Sequence, residues 1–597
     1  MNIEPRPAEF DAWNPGLQSE LPREYLPLST IFRGENVSTS VAKAHELSDY
    51  CGVPAHELVA CRPDRLIAHE VLIHVTTGIS VPDGRDYEDL GKNFREIAAI
   101  ILNRYVAPHR DELVRIFERV KNEASRIIEG ELTKAFVELK PGVEGPREGR
   151  RLFSFARPKK PSTSMESIAE RDQRIVADWQ RKSEAAVERL DEACFDALHR
   201  VATGIRRRRG RLFGNIALLT ELVVTLICND YGSEVIGEAI VPYVQEAIAR
   251  EGYRVLPRQE NPIVMNVKGA SASGKSTMRP LQKILAGRLH LAWDQFALIS
   301  PDIWRKFLLD YGSLGPAYKY AGTLSGHELE IVDQKLDCRM ATRAARGEMS
   351  HLLIDRFRFD NFVPELEGVG SKRLLTRFGN LVYMFFMITP PEMTIERAWI
   401  RGLKVGRYKA VEDLLAHNVE AYTGMPELFF TWALAASKRV HYEFLDNSVA
   451  EGQPPRTVAF GWNGEMTILD IKRMIDIERF RKINIHAQKP TEVYVGEDLA
   501  PENNLDFLKR CARWIPIVKF ADFETGRIYA QLQRGKWAWR DELRFSEALK
   551  DHDAKTGLLA VAPNVYDAAN GVKEKPADVA KEKTHTLGNW AEAAAVA

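Results

Sequence analysis

Cysteine is scarce and scattered. The 597 residues include six, Cys51, Cys61, Cys194, Cys228, Cys338 and Cys511, and no two form a CxxC pair. That spacing excludes a zinc ribbon or a disulfide framework and fits a reducing compartment. Charge bias is absent as well. Lysine plus arginine and aspartate plus glutamate both number 83, so no global field draws the chain to nucleic acid or to an anionic membrane, and any such site must be local. The first residues, MNIEPRPAEF, lack a basic stretch followed by an apolar one, which predicts no secretory signal and a cytoplasmic protein. Long apolar runs are missing except at residues 212–228, which follow Arg206, Arg207, Arg208, Arg209 and Arg211. That run has the look of a membrane segment with a basic flank, but it is short for a span and contains Asn215 and Glu221, so a buried helix is expected. The arginine run reads as a solvated helix end, with a phosphate or nucleic-acid patch as the alternative.

A chain of this length divides into several domains, because single cores rarely grow past about 250 to 300 residues. Residues 1–140 show apolar side chains at three- and four-residue spacing and are expected to form a helical domain. Within them His69, Glu70 and His74 resemble a zinc-protease helix, but the spacing is HExxxH. Histidines five apart do not share a helix face as i and i+4 do, so no metal site is expected there. Residues 141–165, with PGVEGP and ARPKKP, read as a linker. A second helical block follows over 166–254. From residue 255 to 486 short apolar runs alternate with helical patterns, at 263–267, 296–299, 351–354, 381–388 and 440–445, the texture of a parallel sheet covered on both faces. An Asn463-Gly464 pair between two apolar runs predicts a hairpin. Residues 487–562 are expected to form a small C-terminal unit, and the Ala/Lys/Glu-rich residues 563–597 a disordered tail. The fold class expected is α/β: a parallel sheet core, of P-loop kinase type given the GxxxxGK[ST] motif at residues 269–276, with a large N-terminal α-helical region and a small C-terminal appendage.

What is present is a motif. Gly269-Ala270-Ser271-Ala272-Ser273-Gly274-Lys275-Ser276, followed by Thr277, fits GxxxxGK[ST] and lies between a strand pattern and a helix pattern. Such a loop curls backbone N–H groups around the phosphates of ATP, Lys275 neutralises the β and γ phosphates, and the Ser276 hydroxyl ligates Mg²⁺. Ligands of open parallel sheets sit at the carboxyl ends of the strands. Two aspartates occupy such positions. Asp302 follows the 296–299 run and suits a base that accepts the proton of a hydroxyl attacking the γ-phosphate, although Ser300-Pro301-Asp302 also suits a helix start with no chemistry. Asp355 ends the 351–354 run, where it can hold a Mg²⁺ water or a substrate group, or simply be a surface acid. Further on, Arg397, Arg401, Lys404, Arg407 and Lys409 interleave with Gly402 and Gly406. That pattern is expected to form a hinged lid that aims arginines at the transferred phosphoryl group.

Loop, Asp302, Asp355 and an arginine-rich lid leading to Asp413-Leu-Leu-Ala-His417-Asn418 together resemble the zeta-toxin kinases of bacterial toxin-antitoxin systems, over roughly residues 261–450. The resemblance implies Lys275 and Ser276 on ATP and Mg²⁺, Asp302 as base, arginines from Arg401 to Arg407 on the γ-phosphate, and UDP-N-acetylglucosamine as acceptor. The family has Glu-Gly-Thr after its third strand, where this chain has Asp355-Arg356-Phe357. The expected activity is thus ATP-dependent phosphoryl transfer to a hydroxyl of a small molecule. The alternatives are a polynucleotide-end kinase using basic patches near Arg206 and Arg356 to Arg373, and a nucleotide-gated interaction module without an acceptor. An antitoxin-like protein partner, or restraint in cis by the helical N-terminal half, is left open. No clear nucleic-acid or membrane partner is indicated.

Overall fold

The computed structural model describes residues 10–86, 88–137, 167–212, 215–355, 378–494, 497–561, 576 and 579–591. The 141–165 linker, Arg356, Phe357 and the basic stretch to Arg373 lie outside them. The described residues group into two compact units, one of residues 1–25, 73–98 and 251–597, the other of residues 26–72 and 99–250.

The first unit is built on one ten-stranded mixed sheet: β1 (Ile263–Lys268), β2 (Phe296–Ile299), β3 (His351–Asp355), β4 (Leu381–Ile388), β5 (Arg439–Asp446), β6 (Arg456–Trp462), β7 (Glu465–Ile468), β8 (Ile517–Ala521), β9 (Ile528–Gln533) and β10 (Lys536–Arg540). Their spatial order is β10-β9-β8-β7-β6-β5-β4-β1-β3-β2. Strands β2, β3, β1, β4 and β5 are parallel. They are the expected apolar runs, continuous because helices cover both faces: in β4 every residue after Leu381 is buried. The chain leaves β1 toward β2 on one side and reaches β4 on the other, so the order reverses at β1, where the carboxyl ends open a crevice.

Beyond β5 the sheet departs from the expectation. β6 and β7 form the predicted antiparallel hairpin, with Gly464 at φ 84° in its turn. Residues 487–562 are not a separate unit, however. β8 pairs in parallel with β7, and β9 and β10 continue antiparallel, so these residues extend the same sheet. Phe507, Leu508, Cys511, Val518 and Phe520 share a core with Met384, Phe386, Phe429 and Phe444. The physical reason is edge protection: without β8, the inner strand β7 would present unpaired backbone groups.

The expected disordered tail is also corrected over residues 579–591. Trp590 is 1% and Leu587 4% exposed, and Asn589 bridges to Arg456 at the start of β6. Beneath it, fully buried Glu443 of β5 accepts hydrogen bonds from the backbone N–H of Leu587 (2.7 Å) and Gly588 (3.0 Å) and from Thr457 Oγ1 (2.7 Å). Arg288, at the end of the Arg279–Arg288 helix that follows residues 269–278, donates to the carbonyl oxygens of Lys583 and Thr584.

The N-terminal half does not end at residue 254 as a body apart. Residues 73–98 belong with the sheet: Asp83 accepts from Trp293 Nε1 (3.1 Å) and pairs with Lys283 (3.3 Å), while Arg95 donates to the carbonyl of Ile303 (3.2 Å). Residues 12–19 do so too. Ala12 and Trp13 pack on Ile395, Ala398, Val411 and Leu414, and Ser19 donates to Asp413. The second unit is helical, with long helices Arg110–Val137, Ile168–Ala185 and Arg189–Arg209. The last ends at Gly210 (φ 77°), and its arginines sit at the negative end of the helix dipole, Arg209 over the Tyr50 ring and Arg208 beside Asp49. The apolar run forms Ile216–Ile227, which turns Leu219, Leu222, Val223, Leu226 and Ile227 into the core and Glu221 outward, as a core helix does. Glu70 accepts from Ser233 (2.6 Å) within that unit.

Two outcomes follow from this architecture. Burial pushes the Glu443 carboxyl up to about 7 despite its three donors. Its ionised form is thus disfavoured in the fold, so its contribution to stability is greatest below the unfolded carboxylate range and declines as pH rises to about 7. The melting temperature of the wild type relative to Glu443→Gln should therefore fall between pH 5 and pH 7.5. A chain that starts at Arg254 keeps every strand but loses Asp83, Arg95 and residues 12–19. Thermal melting should place it clearly below the full chain.

Candidate functional site

The glycine-containing loop of residues 269–274 runs from the end of β1 to a short 3₁₀ turn, Lys275–Met278, that opens the Arg279–Arg288 helix. Crowding selects its residues. A Cβ at Gly269 would lie 2.7 Å from Met387 Cβ and from Ser273 Oγ, and Gly274 takes φ 93°, open only to glycine at low cost. Ala272 also adopts a left-handed φ, 60°, so the loop alternates hand as anion-binding nests do. Lys275 Nζ donates to the carbonyl oxygens of Gly269 (3.0 Å) and Ala270 (2.8 Å), arched over its own loop.

Strands β1 and β3 are neighbours, with Val267 opposite Asp355. That pairing delivers Asp355 Oδ2 to the Ser276 hydroxyl, 2.5 Å away. A hydroxyl and a carboxylate oxygen are the hard donors that Mg²⁺ accepts when phosphates and water complete its shell, so Ser276 and Asp355 fit as its protein ligands.

Asp302 lies in a 3₁₀ turn, Pro301–Trp304, after β2. Ser300 makes no side-chain cap there, and the Asp302 carboxylate is committed to side chains: Oδ1 accepts from Arg305 Nε (2.8 Å), Oδ2 from Arg407 Nη2 (2.5 Å). Arg305 is itself held by Gly322 O (2.7 Å) and Ser325 Oγ (3.0 Å). Burial acts to raise the Asp302 carboxyl, but Arg407 and Arg305 outweigh it and hold the group well below the carboxylate range.

The arginine segment is a helical hairpin, Pro391–Val405 and Val411–Ala433, and its glycines differ from the expected hinge. Gly402 is buried inside the first helix against the Tyr408 ring, and Gly406 (φ 74°) caps that helix. Arg401 Nε donates to the Arg407 carbonyl (3.3 Å), fixing the turn that carries Arg407 to Asp302. Arg397 serves structure instead, donating to the carbonyl oxygens of Asn447 (2.8 Å) and Val449 (3.1 Å). Asn418 joins the two helices through Thr394 Oγ1 (2.9 Å).

Lys275, Ser276, Asp302, Asp355, Arg401 and Arg407 lie together here, and with them lie Arg305, Lys409, Thr389 and Asn447. Arg305 was hidden because its partner defines it. Lys409, hydrogen bonded to the His417 ring, was visible only as one cation among several. Thr389 and Asn447 follow β4 and β5, and the strand-end rule that found Asp302 and Asp355 would have found them too. Burial brings Lys275 down to about 8, helped by Arg401 and Arg407 and opposed by Asp355 and Asp302. Lys409 is brought to about 8 in the same way, and His417 to about 3 by burial and the cations Lys409, Lys275 and Arg401. Excess cation in a partly desolvated crevice is the electrostatics of a polyanion site.

Comparison with protein-family models, with curated proteins and with solved structures found no match to this chain.

A triphosphate beside Lys409 would restore the ordinary basicity of its amine, because opposite charge favours the protonated form. Binding of ATP near pH 8.5 should therefore take up protons, whereas binding near pH 6.5, where the free amine is already charged, should take up none at this residue. Calorimetry in two buffers of different ionisation enthalpy measures the uptake, and Lys409→Met should reduce it.

Proposed function

We propose that the protein is an ATP-dependent phosphotransferase of zeta-toxin type that moves the γ-phosphate of ATP to a hydroxyl of a small molecule. One observation carries the reading: the loop residues Lys275 and Ser276, the carboxylates Asp302 and Asp355, and Arg407 converge at the carboxyl ends of β1, β2 and β3. Lys275 and the loop amides would hold the β and γ phosphates, and Ser276 with Asp355 would seat Mg²⁺, which neutralises phosphate charge.

Arg407 is parked on Asp302. The phosphates of ATP compete for its guanidinium, whose planar fork suits phosphate oxygens. When Arg407 turns to the γ-phosphate it frees Asp302 Oδ2 for the acceptor hydroxyl, while Arg305 keeps Oδ1 in place. Departure of Arg407 removes the strongest influence holding Asp302 below the carboxylate range, so the freed carboxylate is more basic than in the resting pair and can orient the hydroxyl and accept its proton as the P–O bond forms. Resemblance favours a nucleotide sugar, UDP-N-acetylglucosamine, as acceptor. The same Arg407–Asp302 latch would serve a nucleotide-gated interaction module, in which ATP opens the pair and no acceptor exists. Incubation with γ-labelled ATP and fractionated metabolites separates the two readings, because only the kinase labels a small molecule.

Asp302→Asn should lower single-turnover transfer about 10²-fold or more and leave ATP affinity equal or tighter, since Arg407 is released. Lys275→Ala should abolish transfer and greatly weaken ATP binding with the fold intact. An Asp302→Asn protein that transfers phosphate at the normal rate would assign Asp302 a structural role.

A further inference from the structure

The carbonyl oxygen of Ser273, one residue before Gly274, is surrounded by donors from two other strand ends and from the Pro391–Val405 helix. Asn447 Nδ2 lies 2.7 Å from it, Thr389 Oγ1 3.0 Å and Arg397 Nη1 3.5 Å. Ser273 and Thr389 are fully buried and Asn447 is 5% exposed. Asn447 is itself fixed at three points: its N–H donates to Ile388 O (2.8 Å), its carbonyl accepts from Arg397 Nη2 (2.8 Å), and its side-chain amide sits where a Cβ on Gly274 would collide with it.

A planar trans peptide points its C=O and N–H in opposite directions, and no cis peptide occurs among the described residues. Donors that pull the Ser273 carbonyl toward the ends of β4 and β5 therefore turn the Gly274 N–H the other way, toward the mouth of the loop. We propose that Asn447, with Thr389, is a positioning residue that sets the direction of the Gly274 N–H and so prepares the loop to receive phosphate. The inference rests on the kinase reading only for the identity of the ligand, since an oriented N–H serves any polyphosphate. It also accounts for the glycine at 274, which must offer both a left-handed backbone and room for the Asn447 amide. Without the clamp the peptide can rotate and direct its carbonyl at the phosphate, as repulsive as the N–H is attractive.

Asn447→Ala tests this, because it removes the donor to the Ser273 carbonyl without adding a charge that would itself repel a polyphosphate. Loss of a single bond of this kind corresponds to about tenfold in affinity. The Kd for ATP and for inorganic tripolyphosphate should rise about tenfold or more, and kcat at saturating ATP should stay within about twofold, since the contact is made in ground and transition states alike. Thr389→Val, which removes one donor at nearly constant volume, should raise both constants two- to threefold, and it decides the matter if Asn447→Ala does not fold. A merely structural role would lower the melting temperature and kcat with the folded fraction while leaving Kd unchanged. Folded variants that bind tripolyphosphate as tightly as the wild type overturn the inference and leave the kinase reading standing if the wild type transfers phosphate. Failure of the wild type to bind either ligand overturns both. Weakened binding in the variants, with no acceptor labelled in any fraction, supports the role of Asn447 and removes phosphoryl transfer.

Discussion

Five cationic side chains, Lys275, Arg305, Arg401, Arg407 and Lys409, share the crevice above the carboxyl ends of the central strands with three carboxylates, Asp302, Asp355 and Asp413. Like charges at short range in a partly desolvated space repel, and the surrounding architecture reads as the means of holding them there. The helical hairpin keeps Arg401 and Arg407 at a fixed turn, residues 12–19 pack across that hairpin, and Arg95 secures the turn that carries Asp302. Holding like charges together in this way costs stability, which the contacts around the crevice offset.

The parallel half of the sheet was legible because buried parallel strands write a plain signal. β4 is eight consecutive apolar residues, and β3 is four mostly apolar residues closed by an acid. The turn at residues 269–276 was legible because its glycines answer to backbone geometry: Gly274 takes φ 93°, and a Cβ at Gly269 would meet Met387. Asp302 and Asp355 followed from strand ends. Sequence could not supply the partners, because they are set by long-range closure: Arg407 lies 105 residues from Asp302, and Asn447 174 from Ser273.

Where the expectation failed, composition had outvoted single residues. Residues 563–597 are rich in alanine and charge, yet Leu587 and Trp590 suffice to anchor 579–591 in two apolar cores. Residues 487–562 carry short alternating patterns that suit a small sheet of their own as well as an extension of a larger one, and only the open edge of β7 decides between them. The glycines of the arginine segment misled in the other direction. Gly402 looks like a hinge and is a contact, since only a missing side chain lets Tyr408 lie against the helix.

The grip of Glu443 on the backbone of Leu587 and Gly588 spans 144 residues. A ribosome adding about 5 to 20 residues per second makes β5 roughly 7 to 30 s before it makes the segment that covers it. For that interval the face formed by Tyr383, His441 and Trp462 has no lid, and a carboxyl destined for full burial still stands in water. Over those 144 residues of synthesis the nascent chain leaves that face and the Glu443 carboxyl without the backbone that later covers them.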